Sequence, residues 1–282
     1  MRSPSRRERD LLLVYPQWQG AGALDGLRSS ALTLGATVAG GRRRVDIEVP
    51  AGHPLDLEEG IHGRVELLRQ LGQARKLLDS NRPSRVFAVG GDCGIEPAVI
   101  GYLNARYEGA LAVIWLDAHP DLNTPASSPS GHFHGMPLRV LLAEGDPEFT
   151  ALVDQPLRPE QVVLVGMRAP DAPERAFIRE RRILTLSPDV MNAGTSELMR
   201  WLRASGFERA CVHLDLDVCD PGEVAGVACP TPGGIAVRTL ERVLGEISDE
   251  LEIVGASLTE ALFDSTAVPA ALEPLLEWFR TA

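Results

Sequence analysis

The chain has 282 residues, 44% hydrophobic and 24% charged, with 28 Lys and Arg against 39 Asp and Glu, a formal net charge of −11. That acidity argues against non-specific nucleic-acid binding, which needs a basic surface. Lys76 is the only lysine and sits in a helix-period segment as a surface residue, so a lysine Schiff base is disfavoured and no GxxxxGK[ST] phosphate loop exists.

The first apolar run, residues 11–15, follows an Arg-rich start and is too short for a signal-peptide core. It reads as a strand. Further strands are expected at 85–89, 111–117, 161–165, 183–186, 209–217 and 252–259, and helices at 61–78, 95–107, 136–143, 172–181, 196–204, 237–246 and 267–280. Several strands are continuously apolar, as in LAVIWLDA, which suits a parallel sheet covered on both faces. The alternation predicts an α/β fold: a single doubly wound parallel sheet with helices on both faces, forming one domain over 1–282. No apolar run approaches ~18 residues, so no membrane span is expected. Cys93, Cys211, Cys219 and Cys229 form no CxxC pair. They read as free thiols in a cytoplasmic protein, the last three as small buried or half-buried residues.

In doubly wound sheets ligands bind beyond the carboxyl ends of the strands. The clusters GGDC, DAHPDLN, GMRAPD, DLD and TE all fall where an apolar strand runs out. Each alone could be a turn, but together they bring acids to one sheet edge, where they repel unless cations sit among them. Asp117, His119 and Asp121 alternate at i, i+2, i+4, as do Asp215 and Asp217, and an extended chain would point each set one way. Four carboxylates and an imidazole call for metal ions. Hard oxygen ligands with some imidazole suit Mn²⁺, with Zn²⁺ and Fe²⁺ as competitors. Two metals sharing carboxylates can lower the pKa of a water between them.

These residues resemble the ureohydrolase (arginase/agmatinase) family from about Arg85 to Glu260. The motifs are GGDCG at 90–94, DAHPDLN at 117–123, SGHFHG at 130–135, DLDVCDP at 215–221 and the acid Glu260 after the last strand. The resemblance implies a hydrolase of guanidino compounds with two Mn²⁺ per chain. By position Asp117 and Asp215 would bridge both metals, Cys93 and Asp121 would complete one site, and His119 and Asp217 the other. Asp121, His134 and Glu260 would be catalytic: proton carrier, mobile proton shuttle and guanidinium acceptor. Asn123, Ser128 and Ser130 would bind the substrate α-carboxylate, and Asp171 and Glu174 its α-ammonium group. The family forms trimers and hexamers, so a homo-oligomer is implied; no nucleic-acid or membrane partner is.

Cys93 departs from the family, which carries His after GGD. A thiolate is softer than imidazole and adds negative charge. Cys93 together with YPQWQG at 15–20 looks like the branch that hydrolyses Nω-hydroxy-L-arginine in antibiotic biosynthesis. The implied products are ornithine with hydroxyurea, or with urea from L-arginine. Agmatine, guanidinobutyrate or formiminoglutamate are the alternative substrates, and a metal-binding relative without turnover is the alternative class. His132 stands where the family has Asn. His213 stands where it has a small polar residue, and reads either as a residue behind the metal ligands or as a hydrogen-bonded core histidine. Trp18 reads as pocket wall or core, and Asp92 as a loop anchor. His53 and His62 have no motif.

Overall fold

The computed structural model describes residues 10–52, 54–263 and 268–282. Ten strands lie among the described residues, in chain order β1 (Asp10–Tyr15), β2 (Arg43–Asp46), β3 (Leu57–Glu58), β4 (Ile61–His62), β5 (Arg85–Gly90), β6 (Ala112–Leu116), β7 (Val162–Val165), β8 (Leu184–Leu186), β9 (Arg209–Asp215) and β10 (Glu252–Thr259). Eight of them form one sheet in the order β2-β1-β5-β10-β9-β6-β7-β8. Every pairing in it is parallel. β3 and β4 make a separate two-residue antiparallel ladder.

Period-2 alternation divides each central strand between two apolar layers. Leu11, Leu13 and Tyr15 join one buried cluster, while Leu12 and Val14 join the other. Helices cover both layers, so the α/β expectation stands. Among the described residues no helix is long and apolar enough to cross a membrane.

Several boundaries and elements differ from the sequence reading. The helix expected from residue 61 begins at Arg64, because Ile61 and His62 pair in the short ladder. β2 is an unpredicted edge strand, exposed or half-buried along its whole length, so no apolar alternation announces it. The helix Gly26–Thr37 was also unpredicted; it is rich in Gly, Ser and Thr, which are weak helix formers. It packs on the sheet through Gly35, where an added Cβ would lie 2.6 Å from Val14. The short helices Pro147–Thr150 and Pro188–Ala193 were likewise unpredicted. The last helix, expected from residue 267, starts at Glu273; residue 267 and His53 lie outside the described residues.

β5, β10, β9 and β6 are consecutive neighbours at the centre of the sheet. Their carboxyl ends deliver, in that order, GGDC, Glu260, Asp215 with Asp217, and Asp117. Four chain-distant segments therefore converge because parallel strands all end on the same edge.

Candidate metal centre

The GGDC loop is built around backbone contacts that require glycine. A Cβ on Gly91 would overlap the Gln17 carbonyl oxygen, so Gly91→Ala is expected to displace the loop. We expect it to cost about 1–3 kcal/mol of stability, the usual penalty for overpacking, checked by chemical denaturation. Asp92 anchors the loop by accepting from Gln17 Nε2 (2.8 Å), Gly20 N (2.9 Å) and Gly94 N (2.8 Å). Cys93 is thereby buried beside Asp215 Oδ2 (3.1 Å), Thr259 Oγ1 (3.4 Å) and His213 Nε2 (3.6 Å).

The acids meet, but not by strand alternation as the sequence spacing suggested. β6 ends at Leu116, and Asp121 lies in the left-handed region at φ 51°. Asp215 ends β9, and Asp217 follows in a 3₁₀ turn (Leu216–Val218) where its N–H donates to Asp215 Oδ1 at 2.7 Å. Turns re-aim the side chains, and positive φ is a cost that functional sites tolerate. Glu260 shares the feature at φ 62°, and its N–H donates to Gly91 O at 2.7 Å.

The side chains form three overlapping groups whose donor atoms lie within 4.8 Å: Cys93, Asp117, Asp121 and His213; Cys93, Asp215 and Glu260; and Asp117, His119 and Asp217. His119 Nδ1 is 2.9 Å from Asp217 Oδ2 and 3.6 Å from Asp117 Oδ1. Asp117 Oδ2 accepts from Trp115 Nε1 at 3.0 Å. His134 Nδ1 and the Cys93 N–H both reach Glu260 Oε1, at 3.2 and 3.0 Å.

Burial and the neighbouring Asp117 charge push the Asp121 carboxyl well up. Burial with the charges of Asp217 and Asp117 does the same at Asp215. Burial and Asp117 raise Asp217 to about 6, although His119 pulls the other way. At Asp117 burial opposes ionisation, but His119 and His213 outweigh it and hold the carboxyl below the usual range. Burial lowers both imidazoles, yet Asp117 and Asp217 take His119 to about 12, and Glu96 with Asp117 takes His213 to about 9.

Three carboxylate oxygens, Asp121 Oδ2 and Glu260 Oε2 at the cluster and Glu96 Oε2 behind it, are buried without a hydrogen-bond partner. Such orphaned groups cost on the order of 1–3 kcal/mol each. Crowded acids, a thiol, imidazoles and unpartnered oxygens are the donor set of a cationic centre, so the residues fit two divalent ions.

A cavity of about 260 Å³ opens onto the cluster. It is slightly below the ~300–1,000 Å³ of drug-sized pockets and suits an amino-acid-sized ligand. Cys93, His119, Asp121, Asp215, Asp217 and Glu260 line it, as do Asn123, Ser128, Ser130, His134, Asp171 and Glu174; the buried Asp117 does not. Asn123 Nδ2 donates to Asp171 Oδ2 at 2.9 Å. Both Glu174 oxygens accept backbone N–H groups, from Leu122 (2.9 Å) and Asp171 (2.7 Å), so Glu174 also caps the helix Ala172–Arg181. Burial raises its carboxyl to about 7.

Trp18 is core, its Nε1 donating to Pro50 O at 2.9 Å. His132 packs between His62 and His134, with ring centroids 5.4 and 6.0 Å away. Cys229, expected to be at least half-buried, is exposed on the cavity lining, because its left-handed backbone (φ 54°) turns it outward from a loop. Sequence reasoning missed Arg168, which donates to the Asp217, Thr231 and Pro232 carbonyls and staples the turn behind the site. It also missed Glu96 and Trp115; their only signal was proximity to the GGDC and DAHPDLN motifs.

A profile of the Arginase family matches residues 43–265. The arginase of Staphylococcus aureus (strain COL) is 34% identical over 203 residues, covering 68% of this chain and 67% of its own. That of Bacillus caldovelox is 34% identical over 236 residues and 78% of each chain. Among solved structures, Entamoeba histolytica arginase in complex with L-ornithine superposes with a TM-score of 0.86 at 21% identity over 97% of this chain and 98% of that one. Bacillus subtilis arginase gives 0.81 at 25% identity over 96% and 97%.

Proposed function

The chain belongs to the Arginase family of metal-dependent ureohydrolases, and from that premise we propose that it cleaves the guanidino C–N bond of an arginine-type α-amino acid, Nω-hydroxy-L-arginine or L-arginine. The observation that carries the amino-acid end is Asp171: half-buried on the cavity lining, its carboxylate held by Asn123 Nδ2 at Oδ2 and by the Glu174 backbone N–H of the capping box, with acceptor lone pairs remaining for an ammonium group. Cys93 supports the hydroxylated substrate. A thiolate makes the centre more electron-rich and its water less acidic, and a hydroxyguanidine, with a lower pKa than a guanidinium, is more often neutral and easier to attack.

Cys93, Asp117, His119, Asp121, Asp215 and Asp217 would hold two divalent ions, for which the oxygen-rich donor set favours Mn²⁺. Such a pair supplies Lewis acidity and a water of lowered pKa. Glu260 accepts from the guanidinium through Oε2, while Cys93 N–H and His134 fix Oε1. Asp121 takes the proton released as water adds to the guanidinium carbon and passes it to the leaving amine, which departs as the side chain of ornithine. His134, one-fifth exposed, shuttles protons between the site and solvent. Ser128, Ser130 and Asn123, which line the cavity, would receive the α-carboxylate, and Glu174 orders the helix start carrying Asp171.

The test is a product assay with Mn²⁺ on L-arginine, Nω-hydroxy-L-arginine and agmatine. Ornithine with urea or hydroxyurea is expected, and agmatine turnover as fast as either amino acid would overturn the reading. Asp171→Ala should lower kcat/KM for the amino acid roughly 10- to 150-fold, the equivalent of losing one charge-assisted hydrogen bond of about 1.5–3 kcal/mol. It should leave guanidinobutyrate, which has no α-amino group, unchanged. An equal fall for both would assign Asp171 to loop support.

A further inference from the structure

His213 is fully buried on β9, two residues before Asp215. Its ring stacks on Trp115, with centroids 3.8 Å apart. Its Nδ1 faces Glu96 Oε1 at 2.8 Å, with Ser257 Oγ at 3.4 Å. The other nitrogen, Nε2, has no oxygen at hydrogen-bond length. It stands 3.6 Å from Cys93 Sγ and 3.6 Å from Asp117 Oδ2.

We propose that His213 is a direct metal ligand, giving its Nε2 to the ion that Cys93, Asp117 and Asp121 share. This rests on the binuclear reading above and adds a donor to it. Two donors at about 2.1 and 2.3 Å from one ion stand roughly 3.1–3.6 Å apart for angles between a right angle and the tetrahedral one, a range that reaches the spacing found here, which is too long for a good N–H···O bond. A metal-bound histidine almost always gives its second nitrogen to a carboxylate, which fixes ring and tautomer; Glu96 stands in that place, itself fully buried. A histidine serving only as the ionic partner of Glu96 would not need Nε2 aimed at a thiol and a carboxylate. The sheet register makes the reach available, since His213 lies opposite Trp115 on β6 and Ser257 on β10. The imidazole thus comes from the middle of a strand, beneath the edge loops that carry the other donors.

The experiment uses Co²⁺ on the full chain, because its visible spectrum and its sulfur-to-metal charge-transfer band report ligands independently of turnover. His213→Asn places an amide near Nδ1, keeping the Glu96 contact and deleting the donor at Nε2. The parent should bind two ions with a charge-transfer band from Cys93. His213→Asn should keep one ion, weaken the other at least about 100-fold, since even an outer partner of a metal ligand is worth about 10–100-fold, and lose the band. If His213→Asn fails to fold by circular dichroism, His213→Gln decides: its amide oxygen reaches the Nε2 position, so two ions with weaker affinity and a shifted visible spectrum are expected. Two ions with parent affinity and spectrum in the folded variant overturn the His213 assignment alone. A parent that binds no Co²⁺ overturns the metal centre and this assignment with it.

Discussion

Asp117→Asn and Asp215→Asn should each strip most metal from the protein, taking the content from two ions per chain to below one. Both carboxylates are buried and central: Asp117 joins two of the three donor groups, with Cys93, Asp121 and His213 on one side and His119 and Asp217 on the other. Asp215 contacts Cys93 at 3.1 Å and accepts the Asp217 N–H at 2.7 Å. Replacing a bridging carboxylate by a neutral amide weakens two ions at once. Outer partners alone cost about 10–100-fold in affinity, so at least a 100-fold loss for both ions is expected, with activity falling in parallel. Elemental analysis after dialysis decides it; two ions retained in either variant would end the bridging assignment.

Removing metal from the parent should destabilise it strongly, and increasingly so as pH rises. At free metal about 1,000-fold above Kd, each site contributes about 4 kcal/mol. Two sites give about 8 kcal/mol, and at about 2 °C per kcal/mol for a chain of this size the Tm should fall by about 15 °C on chelation. Without metal, Asp217 at about 6 holds a proton in the folded state that the unfolded state has already lost. For a raised carboxyl the folded state binds more protons, so stability falls as pH rises between about 4 and 6. His119 and His213, raised to about 12 and 9, act in the same direction: their stabilisation is complete below the unfolded histidine pKa and is lost above it. Metal binding needs the deprotonated ligands and so strengthens with pH. The gap in Tm between metal-loaded and chelated protein should therefore widen from pH 5.5 to 8. A gap that is constant or narrows would show that these groups do not hold the ions.

The sequence by itself determined the strands that carry the site. Continuously apolar runs ending in GGDC, DAHPDLN and DLD can only be buried parallel strands with their polar residues at one edge, because a buried backbone must be paired and a buried acid must find a cation. It also determined which residue types meet, since each motif keeps its acids within a few positions of a strand end. What it could not determine was anything fixed by lateral neighbours. The order β5-β10-β9-β6 joins strands distant along the chain, and no local pattern encodes it. Asp121 reaches the centre through a left-handed turn, where alternation predicted an extended chain. The edge strand β2 is exposed on nearly every residue and carries no alternation to read. His213 is the clearest case. In sequence it is one histidine inside an apolar strand, consistent with core or with site. Only the parallel register, which lays it between Trp115 and Ser257, together with the helix that brings Glu96 against Nδ1, turns Nε2 toward Cys93 and Asp117. Strand ends are a local property of hydrophobic patterning; the direction a buried polar atom faces is set by packing from three other segments of the chain.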